Sequence, residues 1–244
     1  MKCKDPLAPD DLFLGNSLQA FYAFTEPMIR RYVEPKDRLL DIGCGDAALS
    51  LRLLQSVPLE SLIGVDIREK AIKMAKHMNS HGNGEFFESD AQDLEWLATL
   101  GKFDVILART SAHHFLDPIG TLQGYVDLLQ DSGRIILIDI DRESACYSVF
   151  GFPLTLMITW MTVIKTLGWK NGWRSIRGMK YPSKAWRLHR AVDVAHRKKI
   201  GWYRFKDIKS KLQLTFPTAH IGRLASCCGL GGVHYMIYEK TPNG

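Results

Sequence analysis

The sequence predicts an α/β protein. We expect a Rossmann-like, seven-stranded, mostly parallel sheet with a C-terminal antiparallel hairpin and a helical lid inserted between strands five and six. Three observations lead there. Between residues 38 and 141, five short apolar runs alternate with segments of helical period, the rhythm of a parallel sheet covered on both faces. That rhythm then breaks, and residues 142–217 carry no further strand signal. Last, PTAHIGRL and VHYMIYEK flank a small Gly-rich loop, Ala225 to Gly232, as a hairpin would.

The elements follow in order. Residues 15–33 read as a helix with Phe21, Phe24, Met28 and Ile29 on one stripe and a kink at Pro27. RLLDI (38–42) is a short buried strand, followed by a glycine turn and a helix over 47–57. SLIGVDI (61–67) is the second strand, and the next helix carries Ile72, Ala75 and Met78 at helical spacing. EFFESD (85–90) is the third strand, DLEWLATL a short helix and KFDVILART (102–110) the fourth strand. Asp117-Pro118 opens a helix to Gln130, because proline at the first helical position loses no hydrogen bond. SGRIILIDID (132–141) is the fifth strand. One domain is expected: an N-terminal helical cap (1–36), a ligand-binding core (37–141), an apolar and then basic lid (142–217) and the closing hairpin (218–240).

The 244 residues, 46% hydrophobic and 24% charged, suffice for a large core and exclude a disordered or collagen-like chain. Five cysteines without a C-x-x-C pair exclude a zinc ribbon and a thioredoxin-type site. They fit a reduced, cytoplasmic protein, and the opening MKCKDPLAPDD has no apolar run of the secretory kind. The net charge of +6 is unevenly spread. Lys165 to Lys211 holds 15 Lys and Arg against two Asp, whereas the rest carries 17 basic and 24 acidic residues. Ahead of it, Ser144 to Ile164 lacks any charge, but Gly151 and Pro153 interrupt it as a membrane span. Substrate, core and an anionic membrane surface remain open as its contacts.

The chemistry gathers at strand ends. Strand one runs into Asp41-Ile42-Gly43-Cys44-Gly45-Asp46-Ala47, where Gly43 and Gly45 allow a sharp turn and close ligand approach. The third glycine of a dinucleotide fingerprint is absent. Asp41, read as part of the turn, would repel a pyrophosphate and attract an ammonium or sulfonium. Asp66 ends strand two, 21 residues after Gly45, where an acid can accept both ribose hydroxyls. Asp90 ends strand three and can accept an adenine amino group, with Ile67 and Ala91 flanking the ring. Three acids at successive strand ends describe a positively charged nucleoside such as S-adenosylmethionine.

LLDIGCGDA, IGVDI, SDA and FDVILARTSAHHF resemble, in order and spacing, the motifs of class I S-adenosylmethionine-dependent methyltransferases over residues 38–141. RTSAHHFLDP and LLQDSGRIILID are similar to the small-molecule branch that includes ubiquinone and menaquinone methyltransferases. The resemblance implies that Asp41, Gly43, Cys44 and Gly45 line the methionine end. It puts Asp66 and Ile67 at the ribose and adenine, Asp90 with Ala91 at adenine, and Ala108 with Arg109 beside the sulfonium. Ala47 departs from the pattern, since many members have glycine there.

Methyl transfer needs alignment and exclusion of water, and a base only if the acceptor arrives protonated. His113 and His114 follow strand four; one of them acts as base or orients the acceptor, or both merely pack the loop. No histidine spacing suggests a metal site. The fold covers its acceptor from the insertion and the N-terminal helix, which makes Tyr22, Trp160, Trp186 and His189 substrate-side candidates. The expected substrate is a small hydrophobic or aromatic metabolite. An RNA methyltransferase using the basic stretch is the alternative, as is a non-catalytic scaffold. Against methylation of a base amino group, the position of the usual Asn/Asp-Pro-Pro-aromatic motif reads Ala108-Arg109-Thr110-Ser111. Cys227 and Cys228 are expected to be structural.

Overall fold

The computed structural model describes residues 25–79, 82–140, 169, 205–225 and 232–241. The segment over 142–204, Trp169 apart, lies outside these residues. Tyr22, Trp160, Trp186 and His189, the apolar run before Lys165 and the Cys227–Cys228 pair therefore lie outside them too.

Seven strands form one sheet in the order β3-β2-β1-β4-β5-β7-β6. These are β1 Arg38–Ile42, β2 Ser61–Asp66, β3 Gly84–Glu88, β4 Phe103–Arg109, β5 Leu129–Ile140, β6 His220–Ala225 and β7 Gly232–Glu239. The first five run parallel, and β7 lies antiparallel between β5 and β6, with Ile136 opposite Ile237 and Gly222 opposite Tyr235. Among the described residues, 25–29 are helical and run into a 3-10 turn at Arg30–Tyr32, and a second such turn follows β4 at Ala112–His114; the helices beyond are α1 Ala48–Ser56, α2 Glu69–Met78, α3 Leu94–Thr99, α4 Pro118–Asp127 and α5 Phe205–Thr215.

The strands read as continuous apolar runs because both faces are covered. In β1, Leu39 packs towards the N-terminal turn, α1 and α2, with Leu53, Ile72 and Ala75. Leu40 and Ile42 point the other way, into a cluster with Leu97, Leu122, Tyr125 and Leu212. The alternation is the two-residue period of a strand buried twice over. Met78, expected on the packed stripe of α2, is half exposed at the frayed helix end.

The helix starts follow local chemistry. Asp117 caps α4 by accepting the Gly120 N–H at 3.0 Å, with Pro118 in the first turn. Asp93 caps α3 by accepting from the Trp96 N–H at 3.0 Å. No side chain caps α1; Ala47 precedes it in the left-handed region at φ 57°.

Two boundaries differ from the sequence reading. Helix α4 stops at Asp127, and β5 begins at Leu129, which pairs with Phe103 before the register shifts and Val105 meets Arg134. Residues 205–215, assigned to the lid from sequence, form helix α5. It packs on α4 and buries Ile208 and Leu212, with Phe216 just beyond it, so the end of the insertion belongs to the core.

Candidate active site

The order of strands reverses between β1 and β4, and in open sheets of this kind ligands bind outside the carboxyl ends of the strands at such a reversal. The turn after β1 is closed by two N–H groups, of Gly43 and Cys44, which both donate to the Val65 carbonyl at 2.8 and 3.0 Å. Gly43 has φ 69° and Gly45 φ 60°. A methyl group added at Gly43 would sit 2.6 Å from Ser111 Cβ, because the turn after β4 presses against the turn after β1. Cys44 is buried and free, and burial pushes its thiol up, out of the reactive range.

Asp66 organises this turn. Its Oδ2 accepts the Gly45 N–H at 2.9 Å, and its Oδ1 accepts the Arg68 N–H at 2.9 Å. The Arg68 guanidinium also grips the carboxylate, Nε to Oδ1 at 3.0 Å and Nη2 to Oδ2 at 3.2 Å. Beside it, Ile67 is 55% exposed, an apolar surface at the strand end.

Asp41 lies within β1 rather than in the turn, and it is buried. Ser50 Oγ of α1 donates to its Oδ2. Burial pushes the Asp41 carboxyl up from the ordinary range; the positive charge of Arg109 and the Ser50 bond oppose that, and Asp66 adds to it. Arg109, at the end of β4, is buried as well, and its positive charge and the Asp41 carboxylate offset one another in part. Ala108 is fully buried within β4.

Asp90 is exposed just beyond β3, and its Oδ1 accepts the Gln92 N–H at 2.9 Å, a turn that fixes the carboxylate. Gln92 Oε1 in turn accepts the Leu116 N–H at 2.7 Å, tying together the loops after β3 and β4. From beneath, the hydroxyl of buried Tyr125 donates to the Ala91 carbonyl at 2.8 Å. Tyr125→Phe is expected to lower stability by about 1 kcal/mol, the net value of one such bond. Calorimetry should read this as a fall in Tm of about 2–4 °C for a chain of this length.

The two histidines separate. His113 is buried, and Asp139 of β5 holds it twice: Nδ1 lies 2.6 Å from Oδ1, and the His113 N–H donates to Oδ2 at 2.9 Å. An Nδ1–H donated to a carboxylate leaves Nε2 as the proton acceptor. His114 is exposed, its ring against that of His113 with centroids 4.1 Å apart and the planes tilted by 40°. Asp139, Arg68, Gln92 and Tyr125 were missed in the sequence. Asp139 had a signal, a lone acid inside the apolar run LIDI; the others are surface or core residues whose roles arise only from contact. Among the described residues, no group of three His, Cys, Asp or Glu side chains is placed to hold a metal ion.

A sheet in this order, with an acid at each of three neighbouring strand ends and a glycine turn at the reversal, is the architecture of a class I methyltransferase. A family model described as a methyltransferase domain matches residues 34–166, more than half of the chain, and the chain belongs to that family. The family uses S-adenosylmethionine. Among curated relatives, the ubiquinone biosynthesis O-methyltransferase of Bordetella avium is 26% identical over 125 residues, 50% of this chain and 51% of that protein. The same enzyme of Ruegeria pomeroyi is 29% identical over 125 residues, 51% of this chain and 49% of that one. The chain thus spans about half the length of the curated relatives it matches. Among solved structures, a plantazolicin methyltransferase bound to a desmethyl-plantazolicin analogue and S-adenosylhomocysteine superposes with a TM-score of 0.60 at 17% identity, covering 92% of this chain and 84% of the other. Magnesium protoporphyrin IX methyltransferase from Synechocystis PCC 6803 gives 0.52 at 14% identity, covering 93% and 81%. These two share the fold. Among the described residues no helix is long and apolar enough to cross a membrane.

Proposed function

We propose that the protein transfers a methyl group from S-adenosylmethionine to a hydroxyl oxygen of a small, hydrophobic or aromatic metabolite. The reading is carried by Asp66 at the end of β2, tied to the Gly45 N–H of the glycine turn, with Asp90 just beyond the neighbouring β3 and Asp41 buried near the end of β1. These acceptors suit a cationic nucleoside: carboxylates for ribose and adenine, and no phosphate-binding third glycine. When bound, the cofactor supplies an electrophilic methyl group on a sulfonium.

The chain's own residues would then act as follows. Asp66 accepts the ribose hydroxyls, and Asp90 accepts the adenine amino group between Ile67 and Ala91. Asp41, buried near the end of β1, would offset Arg109 and favour the cationic methionine end. His113 Nε2 takes the proton of the acceptor hydroxyl, while Asp139 holds the Nδ1–H and stabilises the imidazolium that results. A protonated acceptor is what a histidine–carboxylate pair is suited to serve, and the curated relatives are named as O-methyltransferases. Recognition of the metabolite would fall to the insertion, with Trp160, Trp186 and His189, and to Tyr22 of the N-terminal segment.

The test is thermal stability with S-adenosylhomocysteine, with NAD as control. At 100 times its dissociation constant the ligand should stabilise by about 2.7 kcal/mol. Asp66→Ala is expected to weaken the binding by roughly 1–3 kcal/mol, the value of hydrogen bonds to a charged group. A shift with NAD alone, or none with either ligand, would overturn the cofactor assignment.

A further inference from the structure

We propose that Arg68 is an internal stand-in for the cofactor's ribose, occupying the Asp66 carboxylate until the ribose diol displaces it. The inference rests on the cofactor reading above. Asp66 is 6% exposed, and its two oxygens already accept four hydrogen bonds, the full capacity of a carboxylate. Two come from the backbone, Gly45 and Arg68 N–H, and these aim the carboxylate without blocking it. The other two come from the guanidinium, Nε on one oxygen and Nη2 on the other.

A guanidinium edge presents two parallel N–H donors on neighbouring atoms, and a vicinal cis-diol presents two O–H donors in the same side-by-side manner. Both groups seek the same pair of lone pairs on Asp66. They cannot hold them together, because the backbone donors take the rest. The Arg68 side chain is 53% exposed and is able to leave towards solvent, whereas the backbone donors are fixed in the turn. The guanidinium also lies across the glycine turn: a methyl group at Gly45 would be 3.5 Å from Nη2. Arg68 therefore covers the ribose position and the turn together. In the free protein it compensates a carboxylate that would otherwise be buried and only half satisfied. In the complex its loss is the competing term that sets the affinity.

Titration calorimetry on wild type, Arg68→Ala and Arg68→Lys, with S-adenosylhomocysteine, tests this. Arg68→Ala is expected to bind about five-fold more tightly, the upper end of what a partly exposed ion pair contributes. Arg68→Lys, which keeps the charge but not the fork, should fall between. Wild-type affinity is expected to rise with salt, since screening weakens the competing pair, and the Ala variant should lose that dependence. Adenosine against 2′,3′-dideoxyadenosine gives the sharper comparison: the gain from Arg68→Ala should appear with the diol and vanish without it. Weaker or unchanged binding in Arg68→Ala, or an equal gain with both nucleosides, would overturn the proposal while leaving the cofactor assignment standing. Failure of all three proteins to bind S-adenosylhomocysteine would overturn the assignment and this inference with it.

Discussion

Replacing His113 by Gln is expected to lower turnover by about 10²–10⁴-fold, the usual worth of a positioned general base. The affinity for S-adenosylhomocysteine should stay within about two-fold, because the acids proposed to hold it, Asp41, Asp66 and Asp90, belong to β1, the end of β2 and the loop after β3, and interactions between separate sites are close to additive. Glutamine can still donate an N–H to Asp139 but cannot take a proton from an acceptor hydroxyl. Asp139→Asn should produce a comparable loss. It disrupts the contact at Nδ1, 2.6 Å away, and favours the wrong tautomer. The two substitutions share one function, so the double variant should be little worse than either single one. If instead both lower Tm and leave turnover per folded molecule intact, the pair only fastens the loop after β4 to β5. The acceptor would then need no base. Single-turnover kinetics on the three variants, with Tm recorded alongside, separate these outcomes.

Gly43→Ala is expected to be the most damaging single-atom-scale change in the glycine turn after β1. The backbone there has φ 69°, which costs an L-residue roughly 1–2 kcal/mol. The added methyl would also lie 2.6 Å from Ser111 Cβ, so the turns after β1 and β4 must separate. Overpacking of this kind costs a further 1–3 kcal/mol or so. Together these predict a fall in Tm of roughly 4–20 °C, at about 2–4 °C per kcal/mol for a chain of this size. Binding of S-adenosylhomocysteine should be lost with it, since the reversal of strand order lies at the contact that is pushed apart. Ala47 is the control. It shares the left-handed backbone, at φ 57°, yet its methyl group is accommodated in the core. Ala47→Gly relieves the backbone and loses a buried methyl, two effects of similar size, and should shift stability by no more than about 1 kcal/mol. A small effect of Gly43→Ala would mean that the two turns are not in close contact.

Much of the fold was legible in the sequence, and the reasons are local. β1, β2, β3 and β4 fall within about two residues of their expected bounds, because apolar runs flanked by glycine, proline or acid mark buried parallel strands. Helix α4 begins where Asp117-Pro118 said it would. Its end did not, because whether Leu129 continues the helix or joins the sheet depends on its pairing with Phe103. Helix α5 was hidden inside a basic segment. Its spacing of Ile208 and Leu212 is visible in retrospect, but only the apolar surface of α4 gives those side chains a place to bury.

The candidate site divides in the same way. The sequence by itself determined the class: glycines at 43 and 45, acids at successive strand ends and the histidine pair are read from order and spacing. Such features are legible because a parallel strand delivers its last residues to one edge of the sheet, whatever surrounds it. Only the tertiary structure decided what those residues do to one another. It withdrew Asp41 from the turn into the core beside Ser50, paired His113 with an acid 26 residues away, and placed the Arg68 guanidinium on the Asp66 carboxylate. The physical reason is that strand ends are set by backbone hydrogen bonding and periodic burial, which are local in sequence. A side chain's hydrogen-bond partner and its charge balance depend instead on which element the sheet order brings beside it.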